Sequence, residues 1–237
     1  DSNTYPTFSN VTFSNNSAEI GGAVRCYRGS PTFSNVTFSN NSASWQGGAF
    51  YLRDSSPTLN HVTIANNIGG NDGGIYLEGG SITIKNTIVY SNTSNPGIYV
   101  YSGSPSISYS NFYSNGTGNF YNAGNYIGIN LIVNANGDSC DVYNNIQLDP
   151  EFIDINNNNY HLQNYSPLIG AGVITDNMPE TDLEGNPRPN PAGTIPDIGA
   201  YENPYGVPQY QPQVLNVPTD YSTIQAALTA AIATDTV

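Results

Sequence analysis

Short runs of alternating apolar and polar residues, closed by Asn or Gly, recur along the first half of this 237-residue chain. "PTFSNVTFSNNSA" occupies residues 6–18 and again 31–43. Looser copies follow: "PTLNHVTI" at 57–64, "ITIKNTIV" at 82–89 and "PSISYSNF" at 105–112. Within each, the "VTF" type of segment puts Val11 and Phe13 on one face. A second apolar run ("AVRCY", "AFYL", "IYLE", "IYVY") follows the pairs Gly21–Gly22, Gly47–Gly48 and Gly73–Gly74, and Gly97. Segments of this length and period predict strands, and Asn and Gly at their ends predict tight corners at positive φ. A unit of about 25 residues patterned this way has no space for a ten-residue helix.

Repeats that cannot bury their own apolar face must stack. The expected fold is all-β: a right-handed parallel β-helix, one coil per repeat, with coils about 4.8 Å apart. Phe8, Phe33, Leu59 and Ile84 then form an inner ladder. Asn10, Asn35, His61, Asn86 and Asn111, at offsets of 25, 26, 25 and 25, are expected to form a structural ladder at one corner. Asn16, Asn41, Asn67 and Asn92 form a second column.

These repeats resemble the bacterial exported right-handed parallel β-helix repeat proteins, which include polymorphic outer-membrane-protein-like repeats. "DPEFIDINNNNYHLQNYSPLIGAG" at 149–172 and "DLEGNPRPNPAGTIPDIGAYE" at 182–202 resemble the C-terminal segment of such proteins. The resemblance implies β-helix coils over 1–135 and a C-terminal β-helix segment with the DIGAYE motif over 136–202. It implies export and a place on the bacterial cell surface or outside the cell. Family members include structural surface proteins, adhesins and carbohydrate-active enzymes.

Residues 203–216, rich in Pro, Gln and Tyr, predict an extended linker. In 217–237, Ile224, Ala227, Leu228, Ala231 and Ile232 share a helical face, with Ser222 or Thr223 as N-cap. This resembles the amphipathic helix that caps the first coil of a β-helix. Two expectations stand side by side. The chain is a window from a longer array, or 217–237 caps the open end of another molecule and builds a filament head to tail.

Charge narrows the partners. Lys and Arg number five against 18 Asp and Glu, a net charge of −13, which argues against nucleic acid and anionic membrane surfaces. No apolar run is long enough to insert in a membrane. Cys26 and Cys140 match no zinc spacing and are expected as separate thiols, a disulfide between them being the alternative.

A lyase needs carboxylates for Ca²⁺ beside a Lys or Arg base. Here Glu19, Asp54, Asp72 and Glu78 fall in different columns, and Arg28 meets Asp54 one coil away as an expected ion pair. The Asp-Asp and Gly-His-Gly motifs of polygalacturonase-like hydrolases are missing from the sequence. His61 and His161 read as structural. Asp154, Asn156 and Asn158 open like a calcium loop, but Asn159 and Tyr165 stand where that loop needs Gly and Glu. No cofactor is expected, with Ca²⁺ at this loop the weak candidate. The 18 Tyr fill ladders or present a strip for glycans. The expected function is a structural, non-enzymatic component of an extracellular fibre or surface layer, partnered by itself or by neighbouring β-helix domains. An adhesin or glycan-binding protein is the alternative, and a polysaccharide lyase or hydrolase the third reading.

Overall fold

The computed structural model describes residues 4–210, 217 and 219–231. About five coils of parallel strand form three sheets. The long sheet stacks Thr7–Ser14, Thr32–Ser39 and Thr58–Ala65, then the broken pairs Thr83–Lys85 with Ile88–Tyr90 and Ser106–Ser108 with Asn111–Tyr113. The second stacks Val24–Tyr27, Phe50–Arg53, Ile75–Glu78, Ile98–Ser102 and Phe120–Tyr121. The third is short: Ser17–Ile20, Ser42–Gln46 and Ile68–Gly69.

The duplicated stretch lies in full register on itself, with Phe8 beside Phe33 and Phe13 beside Phe38. Their rings stack at 5.0 and 4.9 Å. Leu59 and Ile84 continue the first ladder. Identical residues recur because each coil presents the next with the same surroundings. Gly47 turns one corner at a φ of 67°. A Cβ on Gly48 would lie 2.4 Å from the Gly73 carbonyl oxygen, so that corner admits no side chain.

The amide ladder is the second Asn column. Asn41, Asn67, Asn92 and Asn115 are buried. Asn16 Nδ2 donates to Asn41 Oδ1, Asn41 Nδ2 to Asn67 Oδ1 and Asn67 Nδ2 to Asn92 Oδ1, each at 2.9 Å, and Asn92 Nδ2 donates to Asn115 Oδ1 at 3.0 Å. The first column differs from expectation. Asn10, Asn35 and His61 sit at φ between 53 and 55° inside the long strands, and Asn86 at 48° in the break between the two short ones. The fifth rung is Tyr109 (φ 49°), not Asn111, because Lys85 pairs with Ser108 and Ile88 with Asn111. The last coil is 23 residues long, as the step from Asn92 to Asn115 shows.

Of the segment 136–202, residues 143–146 continue the coils with one parallel rung on residues 109–112, and the rest leaves the solenoid. Residues up to Ile146 cover the end of coil five, where Ile146 and Ser110 share a backbone bond of 2.9 Å. The chain then turns back along the outside of the long sheet. Phe152 packs edge-on against Tyr90, Asn158 accepts a bond from Asn40, and Thr181 accepts one from Asn35. A second core forms beneath it from Ile88, Cys140, Ile146, Leu162, Leu168, Ile169 and Ile198. Cys26 packs against the solenoid core instead, and both cysteines are free. The helix spans Ile224–Ala230, capped by Thr223, whose hydroxyl accepts from Ala226 N–H at 3.1 Å. Ala231 is extended and ends it, and Ile232 lies outside the described residues. Among the described residues no helix is long and apolar enough to cross a membrane.

Candidate functional site

Three places concentrate chemistry. The first is a clasp between the returning segment and the first column. Asn35 Nδ2 donates to the Thr181 carbonyl, Val173 N–H donates to Asn86 Oδ1 (2.8 Å), and Asn60 Nδ2 donates to Thr175 Oγ1 (3.2 Å). At its centre Arg188 Nη1 meets Glu202 Oε1 at 2.9 Å with both side chains fully buried. Arg188 Nη1 also contacts His61 Nδ1. Burial, then the Arg188 charge, holds the His61 imidazole well below its usual pKa. It is therefore neutral and accepts from Arg188. Asp197 accepts N–H bonds from Gly170 and Asn203, at 2.8 and 2.7 Å.

Burial raises Asp197 well above the carboxylate range and Glu202 to about 7. For Asp182 burial also works upward, but N–H donors from Glu202, Asn186 and Glu184 outweigh it and hold it below its ordinary value. Of the clasp, the repeats point only to Asn35, His61 and Asn86, as rungs of a ladder rather than as partners of the returning segment. The signal for the rest was the "DLEGNPRPN" and "DIGAYE" wording itself, which contains Asp182, Arg188, Asp197 and Glu202.

The second place is the outer face of the second sheet. Arg25, Tyr51, Tyr76, Tyr99 and Tyr121 form one column in register. The tyrosine rings lie 5.4, 5.5 and 4.4 Å apart and within 11° of parallel. Their faces are spent on one another, so the column shows its edges outward. Tyr51 donates to Glu78 Oε2 at 2.5 Å. The expected Arg28–Asp54 pair is present at 3.8 Å, beside Arg53–Glu78 at 3.6 Å. Both pairs are surface ones and contribute little to stability.

Asp72, behind this face, is buried and its Oδ2 has no hydrogen-bond partner. Burial pushes its carboxyl from 3.8 to about 6. A raised folded pKa means stability that is fully present below the unfolded pKa and lost as pH rises through the folded one. Asp72→Asn cannot ionise. It should therefore stabilise the fold by about 1 kcal/mol near pH 8 and change it little near pH 4. Thermal melts at the two pH values check this, and an equal shift at both would refute it.

The third place is the mouth of coil one. A cavity of about 310 Å³ opens between Pro6, Phe8, Phe13, Val24, Cys26 and Phe33. Of the predicted cap residues, Ile224 and Leu228 are 64 and 55 % exposed, whereas Ala227 is buried. The calcium-loop residues are otherwise engaged. Asp154 caps the turn Ile155–Asn157, and Asn158 Oδ1 accepts from Asn40 and Tyr160. Asn156 is exposed. His161 lies between Asn159 and Glu184 and packs on Tyr201. Among the described residues no three His, Cys, Asp or Glu come together as metal ligands.

Parallel strands wound in three sheets about one apolar core define a right-handed β-solenoid, here fastened by its own C-terminal segment. The chain belongs to the family described as the right-handed β-helix region, whose model matches residues 1–186. No curated protein and no solved structure matches it. The β-helix fold is consistent with surface and structural roles.

Proposed function

We propose that this chain is a structural component of an extracellular bacterial fibre or surface layer, working without catalysis or a bound cofactor. Units join head to tail, the apolar face of helix Ile224–Ala230 covering the mouth of coil one in a second copy or a neighbouring β-helix unit. The observation that carries this reading is the match between those two surfaces. Phe8, Phe13 and Val24 line an apolar opening, and strand Thr7–Ser14 pairs on one side only among the described strands. Ile224 and Leu228 supply an exposed apolar pair one helical turn apart.

The test compares the full chain with Ile224→Asp/Leu228→Asp by light scattering and negative-stain microscopy. The full chain should form rods or multimers that grow with concentration, and the variant should stay monomeric. A full chain that is monomeric throughout, or a variant that assembles equally, defeats the head-to-tail reading.

A further inference from the structure

The tyrosine column of the second sheet is uneven. Tyr51, Tyr76 and Tyr99 follow one another at 5.4 and 5.5 Å, whereas Tyr99 and Tyr121 close to 4.4 Å with their planes 10° apart. The register enforces that approach. Ile98 pairs with Phe120 and Tyr99 with Tyr121, and Phe120 is anchored on Phe112 in the core. Parallel strands in register point both side chains the same way. Hydroxyl therefore lies beside hydroxyl, and the ring carbons next to each hydroxyl are neighbours too. Burial, then the adjacent Tyr121 phenol, pushes the Tyr99 hydroxyl above its ordinary pKa.

Access differs along the column. Tyr51 and Tyr76 are buried, and Tyr51 is held by Glu78. Tyr99 is half-buried and Tyr121 is 52 % exposed. Tyr121 also lies in the last strand of its sheet, which is two residues long and paired on one side only among the described strands. A short edge strand opens more readily than its neighbours, so it can tilt as a bond between two rings demands. The other tyrosine pair in register, Tyr90 with Tyr113, stands 6.3 Å apart with Phe152 edge-on against Tyr90.

We propose that Tyr99 and Tyr121 are a modification site, joined as dityrosine when the chain meets a haem peroxidase and hydrogen peroxide. Each phenol gives one electron to the oxidant and its O–H proton to water. The two phenoxyl radicals carry spin on the carbons beside oxygen and join there in a carbon–carbon bond. The hydrogens on those two carbons then leave as protons, and each oxygen takes one back. In sum, two tyrosines and one hydrogen peroxide give one dityrosine and two waters. Holding both rings in place makes the coupling unimolecular. The link ties the fifth coil to the fourth, at the opposite end of the sheet from coil one.

The intact chain, kept dilute, is treated with a haem peroxidase and hydrogen peroxide. Dityrosine fluorescence should rise with a yield per chain that does not depend on chain concentration. Proteolysis and mass spectrometry should recover a peptide joining Tyr99 to Tyr121, lighter by two hydrogens than its parts. Tyr121→Phe keeps the ring and loses only the hydroxyl. It should abolish the joined peptide and lower the fluorescence several-fold. Tyr113→Phe and Ile224→Asp/Leu228→Asp should leave both readouts unchanged, so the site stands or falls apart from the assembly reading. Cross-links scattered over the exposed Tyr5, Tyr101 and Tyr126, a yield that grows with chain concentration, or indifference to Tyr121→Phe overturns the proposal. So does the lack of a Tyr99–Tyr121 link with both the peroxidase and a smaller oxidant, photoexcited ruthenium tris-bipyridine with persulfate.

Discussion

Arg188→Met should release the returning segment from the coils while the solenoid itself stays folded. The substitution removes the sole cation of a pair that is fully buried on both sides. It leaves Glu202 beside Asp197 with no positive charge to offset either. Breaking such a pair costs about 3–5 kcal/mol. The loss is local, because the core under residues 149–205 is separate from the one inside the coils. Hydrogen-exchange mass spectrometry should therefore show protection over 149–205 falling by about two to three orders of magnitude. Strands Thr32–Ser39 and Thr58–Ala65 should change little.

The pH dependence has a definite sign. Burial raises Glu202 to about 7, so its contribution to stability is fully present at acid pH and lost as pH rises through neutrality. The variant's defect should thus narrow near pH 5, where the orphaned carboxyl takes up a proton. Arg188→Met/Glu202→Leu should recover part of the loss, because it removes the charge stranded at 202 while the N–H groups of Asp197 and Asn190 lose the Glu202 carboxylate they donate to. A uniform loss of protection in every coil would show instead that the clasp and the solenoid form one cooperative unit.

Asn67→Leu should destabilise the solenoid itself. Asn67 Nδ2 donates to Asn92 Oδ1, Phe38 O and Ala65 O at 2.9, 3.0 and 3.1 Å. Its Oδ1 accepts from Asn41 N–H and Nδ2 at 3.0 and 2.9 Å. Leucine has nearly the same size and fills the space, but it leaves these groups buried without partners. Each stranded group costs about 1–3 kcal/mol, so a total loss of about 4 kcal/mol is expected. Asn16→Leu should cost under about 1 kcal/mol, because Asn16 is exposed and bonds only to the coil on one side. Urea titrations of both variants measure the difference. Equal losses would mean that the amide ladder does not derive its strength from burial.

The parts of the fold legible in the sequence are those that repeat. Phe8 over Phe33 and Asn16 over Asn41 follow from a 25-residue offset, because stacked coils give stacked residues the same neighbours. The fifth coil departs from that offset. Matching Asn86 to Asn111 by identity kept the period at 25, while the backbone needed its positive-φ residue at Tyr109. The bulges at Trp45 and Tyr101 interrupt the repeat, and the 26-residue step from Gly21 to Gly47 carries the trace of the first.

The sequence by itself determined the solenoid: its strand period, its inner ladder, its glycine and asparagine corners and its acidic character. All but the last are set by contacts between one repeat and the next. The tertiary structure alone decided what lies across repeats. It turned the 149–205 segment back along the long sheet and joined His61 to Arg188 and Glu202. A periodic pattern fixes which residues stack, because stacking is local to neighbouring coils. It leaves open the direction an aperiodic segment takes afterwards, since that depends on which outer face can bury its charges and apolar side chains.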